Sequence, residues 1–244
     1  MGYAGVVSPP APVSTPVMLQ RWDRLTFLHW NYDPADVRCL LPPGLSADLW
    51  DGRAWVGMTP FLLKNLRLPF APPMPWVSTF PETNLRTYVR NSAGEPGIWF
   101  FSLEAARLAA VLAARSTYGL PYMWSKMNFD DHDRIITYTG RRRWPGPAGA
   151  GYELAVEIGA SIPAEALRDF DHFLTARWRL YSTFAGMLAH ADVEHEPWPF
   201  ASARVIRLRQ NLTNAAGLPE PAGDPLVHFS PGVETRVGPI RRTG

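Results

Sequence analysis

The sequence predicts an antiparallel, β-rich α+β domain with about two helices, and three observations carry that reading. Runs of β-branched and aromatic residues recur between clusters of turn formers along the 244 residues. Asp51-Gly52, between 47–50 and 53–58, is a strong two-residue hairpin signal. Apolar residues at helical spacing fill only two long stretches, 103–118 and the segment opened by Pro163.

In chain order, residues 24–32 read as a strand with Leu25, Phe27 and His29 on one face and Thr26, Leu28 and Trp30 on the other. Asp33-Pro34 starts a short helix as cap and first-turn proline, and Pro42-Pro43-Gly44 ends it. Four prolines in 68–75 make that stretch a loop. Residues 81–89 form a strand, the turn formers 91–97 reverse the chain, and 98–103 return. Leu108, Val111 and Leu112 then mark a helix over 103–118, with Ser102 as its cap and Gly119 and Pro121 as its stop. Strands over 122–129 and 134–143 flank a turn at 130–133, and another strand covers 152–158. Beyond Pro163, a helix presents Leu167, Phe170, Phe173 and Leu174, and 177–181 and 204–212 read as strands. The proline- and glycine-rich tail from Gly217 carries one late apolar segment, 226–229.

The strand over 81–89 holds the candidate chemistry. Alternation places Glu82, Asn84, Arg86 and Tyr88 on one face and Thr83, Leu85, Thr87 and Val89 on the other. A carboxylate, an amide, a guanidinium and a phenol in one column suit a small polar ligand; they also suit the wet face of a sheet. The returning strand, Ile98 to Leu103, is apolar on both faces, so the hairpin is expected to be central and the ladder to face an enclosed space. A buried Glu and Arg must be paired or bind something. If a ligand is bound, Arg86 would grip a carboxylate through two parallel hydrogen bonds and Glu82 would move a proton.

Composition excludes several classes. With 24 basic and 22 acidic residues the net charge is +2, too balanced for a nucleic-acid reader. No apolar run reaches the length of a membrane span. The single cysteine, Cys39, rules out an internal disulfide framework and points to a reducing, cytoplasmic setting. Residues 1–16, with four prolines, read as a flexible extension and not a signal peptide, and 17–244 as a single domain. The acidic turn 130–133 and the His190/His195 region lack a zinc spacing, so no metal and no cofactor are expected. Homo-oligomerisation is left open.

Several segments in order resemble the YqjF-like family (domain of unknown function 2071) within the acetoacetate decarboxylase-like superfamily. They are Leu25-Thr26-Phe27-Leu28-His29-Trp30, Asp51-Gly52-Arg53-Ala54-Trp55-Val56-Gly57, Glu82-Thr83-Asn84-Leu85-Arg86-Thr87-Tyr88-Val89, Trp99-Phe100-Phe101-Ser102-Leu103-Glu104, Leu120-Pro121-Tyr122 and His195-Glu196-Pro197-Trp198-Pro199. The resemblance implies an antiparallel β-barrel or cone with about two to three flanking helices and a central small-molecule pocket. In the decarboxylase a lysine that forms a Schiff base, and a second lysine beside it, follow the equivalent of Pro121; this chain has Tyr122 and Met123 there. Lys126 is on the same strand face as Tyr122 but roughly 13 Å along it at about 3.3 Å per residue. The implied function is a metal-independent enzyme acting on a small keto or carboxylate metabolite without that lysine. The alternative is a binding protein on the same fold that performs no chemistry. Glu82 and Tyr122 are the candidate catalytic residues, and Arg86, Asn84, Tyr88, His29 and Ser102 the candidate ligand contacts.

Overall fold

The computed structural model describes residues 11–243. Of the expected extension, residues 1–10 lie outside the described residues. Within 11–16, the Val13 N–H donates to Glu194 Oε2 at 2.7 Å and the Val13 carbonyl accepts from Arg236 at 3.3 Å, which ties this stretch to the sheet.

The described strands join in one sheet. They are β1 (Met18–Tyr32), β2 (Leu45–Ala47), β3 (Ala54–Arg67), β4 (Phe80–Asn91), β5 (Pro96–Ala105), β6 (Tyr122–His132), β7 (Ile135–Trp144), β8 (Gly151–Ile162), β9 (Arg179–Phe184), β10 (Met187–His195), β11 (Phe200–Gln210), β12 (Leu226–Val237) and β13 (Arg241–Arg242). Four helices are described, α1 (Pro34–Arg38), α2 (Leu108–Tyr118), α3 (Asp169–Thr175) and α4 (Leu212–Ala215). Strand pairing closes on itself twice. One ring runs β12-β1-β3-β4-β5-β6-β7-β8-β11 and back to β12; a second leaves β5 through β9 and β10 and returns to β12. The wall β12-β1-β3-β4-β5 belongs to both, giving the barrel- or cone-like form that the resemblance implies.

Alternation splits this shared wall into two faces. Leu28, Met58 and Leu85 pack against Tyr138 and Leu154 in a dense core on one side. Leu25, Phe27, Phe61 and Leu63 turn to the other, toward Trp198 and Phe200. β4 is hydrogen-bonded to β3 along one edge and to β5 along the other, so the ladder strand is central.

The pairing is antiparallel with two exceptions: β5 runs parallel to β6 and to β9. The first follows from α2, since a helical crossover returns the chain in the same direction. Asp51 (φ 49°) and Gly52 (φ 71°) make the expected tight turn, with reciprocal bonds between Trp50 and Arg53 at 3.0 Å. The hairpin stops there. β2 pairs with β4, because buried Asp48 binds Arg90 at 2.8 Å and Arg177 at 3.0 Å while its N–H donates to the Tyr88 carbonyl.

Three further expectations need correction. Ser102 caps no helix: β5 continues to Ala105 because 103–105 still pair with 82–84, and α2 begins only at Leu108. Gly119 does end α2, in the left-handed conformation (φ 64°). Pro163 opens only a single 3₁₀ turn, and α3 starts after Arg168, whose N–H is taken by Asp171 Oδ2 at 2.9 Å. The late segment 226–229 is the first part of a twelve-residue strand, β12. Among the described residues no helix is long and apolar enough to cross a membrane.

Candidate functional site

On the face of the shared wall away from the dense core lies a cavity of about 690 Å³. Its floor comes from β3 and β4, where Glu82 is opposite Phe61, Asn84 opposite Thr59 and Arg86 opposite Gly57. β5 supplies Phe100 and Leu103, with a bulge opposite Leu85–Arg86 that shifts the register between them. α2, the β3–β4 loop, β1 through Gln20, Trp22 and Leu25, and His195 and Trp198 add to the lining.

Glu82, Asn84, Arg86 and Tyr122, four of the residues singled out in the sequence, meet in this cavity. The Tyr122 hydroxyl lies 3.1 Å from both carboxyl oxygens of Glu82. Burial raises the Glu82 carboxyl to about 8, with the Tyr122 hydrogen bond acting in the opposite direction. At neutral pH Glu82 therefore carries its proton. Burial and the neighbouring carboxyl push the Tyr122 phenol well above its ordinary value, so it too is a neutral donor.

Arg86 is 6% exposed, and its Nε and Nη2 have no hydrogen-bond partner. Its guanidinium carbon lies 5.4 Å from the centre of the Phe27 ring. Among the described residues no ion pair joins it to any carboxylate, Glu82 included. The other buried charges are paired. Glu104 accepts from Arg142 and, at 2.6 Å, from Ser125 on the opposite face of the wall; Asp171 lies 3.2 Å from His228. Of the other arginines lining the cavity, Arg177 is paired with Asp48, Arg179 with Glu95 and Asp192, and Arg67 donates to the Pro69 carbonyl. Arg86 is thus the buried cation whose charge the fold leaves unmatched, and the bare structural-pair reading of Glu82 and Arg86 loses its basis.

The remaining candidates lie elsewhere. Tyr88 shares the parity of the ladder but sits under α3: its hydroxyl donates to the Leu174 carbonyl at 2.5 Å and accepts from His29 Nε2 at 2.7 Å. Gly57 makes room for this pair, since a Cβ there would come 3.1 Å from His29 Cδ2. Burial, with Arg86 adding, holds the His29 imidazole well below its ordinary value. His29 and Tyr88 form a sealed neutral pair behind the floor, outside the cavity lining. Ser102 is opposite Leu85, on the dense-core face, and does not line the cavity. The bulge breaks the simple alternation that would have put it there.

Sequence reasoning passed over His195, which lines the cavity. Its Nδ1 donates to the Glu196 carbonyl at 2.7 Å, and burial lowers it to about 4, so Nε2 is an acceptor at neutral pH. The Trp198 and Trp22 rings are tilted against it, with ring centres 4.5 Å and 5.9 Å away. The segment His195-Glu196-Pro197-Trp198-Pro199 carries this histidine, but in sequence a histidine before Pro197-Trp198 reads as a satisfied core residue and the His190/His195 region lacks a zinc spacing. The lining contains no lysine: Lys126 is exposed, and Lys64 is bound to Asp23 at 2.6 Å.

Residues 19–234 match the DUF2071 family, described as an uncharacterized conserved protein. The chain belongs to this family. Another relative, the uncharacterized protein YqjF of Bacillus subtilis (strain 168), is 37% identical over 227 residues, covering 93% of this chain and 92% of that one. The DUF2071 chain also shares its fold with an acetoacetate decarboxylase-like enzyme from Sphingomonas wittichii RW1, at a TM-score of 0.66, 12% identity and 96% coverage of both chains. The enduracididine biosynthesis enzyme MppR, solved in complex with pyruvate, gives 0.63 at 14% identity, covering 99% of this chain and 97% of the other. At these identities the likeness establishes an acetoacetate decarboxylase-like fold for this DUF2071 protein.

Proposed function

We propose that this DUF2071 protein binds and transforms a small oxo acid, holding its carboxylate on Arg86 and turning its carbonyl toward Glu82 and Tyr122. The observation that carries the reading is a buried guanidinium without an ion pair, lining the same cavity as a carboxyl that keeps its proton. A planar guanidinium offers two parallel donors that match a carboxylate, and in a dry site such bonds are strong. The neutral Glu82 acts as a general acid toward the carbonyl oxygen, with the Tyr122 hydroxyl as second donor, and the resulting carboxylate takes a proton back as general base. That cycle serves enolisation, hydration or dehydration next to a carbonyl. It needs no amine, in keeping with a lining that has none, and MppR's complex with pyruvate supports an oxo acid as ligand on this fold.

The missing amine also favours the second reading, a protein that holds the same ligand without reaction. Calorimetric titration of pyruvate and 2-oxobutanoate into the protein and into Arg86→Met tests the shared part: binding to the first, lost in the second, is expected. Deuterium uptake at the ligand's carbon next to the carbonyl, followed by NMR, separates enzyme from binder. Equal affinity in both proteins would remove Arg86 from the site. The exposed free thiol of Cys39 suits the cytoplasmic setting proposed from composition.

A further inference from the structure

The proposed head-group chemistry occupies only part of the cavity. At about 30 Å³ per water-sized group, a three-carbon oxo acid displaces on the order of 100 Å³, against a cavity of about 690 Å³. Volumes of that size bury ligands of many more atoms. The remaining space is apolar. Above the polar floor the walls are formed by Leu63, Leu66 and Val77 and by α2.

α2 buries Val111 and Tyr118. Along the cavity it places Ala110, Ala113 and Ala114, followed by Thr117 and Tyr118, while Leu108 and Leu112 are 40% and 50% exposed. Large side chains at the three alanine positions would fill this part of the cavity. The alanines instead leave a trough along the helix. Leu68 and Met74 of the β3–β4 loop extend the apolar lining to the surface, where they are 65% and 63% exposed. Arg107 Nε donates to the Trp76 carbonyl at 2.6 Å and ties this loop to the start of α2. One end of the cavity therefore holds an unmatched buried cation, and the other is a hydrocarbon-lined passage to solvent.

We propose that the ligand is amphiphilic: an oxo acid whose carboxylate sits on Arg86 and whose hydrocarbon tail lies in the alanine-lined trough of α2, toward the β3–β4 loop. This names the substrate class of the site above and rests on that reading. The tail excludes water from the apolar walls, where water finds few partners, and each added methylene buried there adds hydrophobic stabilisation. The short oxo acids bind at the head position alone and leave the trough open.

The test is a calorimetric series of straight-chain 2-oxo acids from 2-oxobutanoate to 2-oxododecanoate on the unmodified protein. Affinity is expected to rise about fourfold per methylene until the trough is full, with a heat-capacity change that grows more negative along the series. Ala114→Trp, which fills the trough, is expected to flatten this dependence, and Ala110→Leu to reduce it. A series in which affinity is independent of chain length overturns the inference, as does an undiminished gain per methylene in both variants. If 2-oxobutanoate binds, loses binding in Arg86→Met, and the series is flat, the tail is refuted and the head-group reading stands. If no member binds, or Arg86→Met leaves the affinities unchanged, both readings fall.

Discussion

Replacing Glu82 by Gln removes the proton from the site while keeping the shape and the hydrogen bond to Tyr122. The consequence can be worked from the structure. Unfolded, the carboxyl titrates near 4.5; folded, burial raises it to about 8. Below about pH 4.5 it is protonated in both states and costs nothing. As pH rises from there to about 8 the unfolded chain gives up its proton and the folded protein does not, so the wild type loses stability; above that window the loss is complete. At about 1.36 kcal/mol per pH unit the full span corresponds to on the order of 5 kcal/mol, and water entry on ionisation would reduce it to a few. Glu82→Gln has no such loss. Denaturant unfolding of both proteins at about pH 5 and about pH 9 should show a variant little different from wild type at the lower pH and more stable by a few kcal/mol at the higher. Parallel pH profiles would mean that Glu82 is already ionised in the folded protein, and its role as a neutral acid would fail.

Arg86→Lys keeps the charge and loses the planar fork, so oxo-acid affinity should fall by about 1–3 kcal/mol with little change in melting temperature; a large drop in melting temperature at unchanged affinity would make Arg86 structural. Arg142→Met strands Glu104 in the dense core and should destabilise the fold by about 3–5 kcal/mol in chemical unfolding, with oxo-acid affinity retained in the folded fraction. Borohydride reduction with pyruvate or acetoacetate should add no mass, since Lys126 is exposed and Lys64 is engaged by Asp23; an adduct on either would move the chemistry to a Schiff base.

Much of the fold was readable wherever local chemistry and tertiary structure agree. Asp51-Gly52 forms its turn, the 81–89 strand is central, and Gly119 stops α2 as its backbone freedom allows. The failures have physical causes. Ala185-Gly186 makes the turn between β9 and β10 with φ of 50° and 76°, yet alanine gives no turn signal, and β10 went unseen. Pro231-Gly232 interrupts β12, where Gly232 (φ 131°) sits against Asp23 and a Cβ would come 2.3 Å from the Trp22 carbonyl; a strand was therefore read as four residues. The ladder gave Glu82, Asn84 and Arg86 correctly to one cavity because parity is local. Tyr88 obeys the same parity but is covered by α3, and Ser102 is turned away by a bulge. The α3 helix itself is legible in the sequence, but its packing over Tyr88 and the bulge in β5 have no signature in the residues themselves. The absence of an ion pair between Glu82 and Arg86 is also invisible in sequence, since both side chains stand on one strand face, and their separation depends on rotamer and packing.

The central claim is that the unmatched charge of Arg86 receives a carboxylate in the cavity that also holds a protonated Glu82. A crystal structure of the protein soaked with 2-oxobutanoate at neutral pH tests it most directly. The account predicts the ligand carboxylate within hydrogen-bond distance of Arg86 Nε and Nη2, and its carbonyl oxygen facing Glu82 and Tyr122. A ligand bound away from Arg86, or an Arg86 side chain turned to pair with Glu82 while the cavity holds only water, would contradict it.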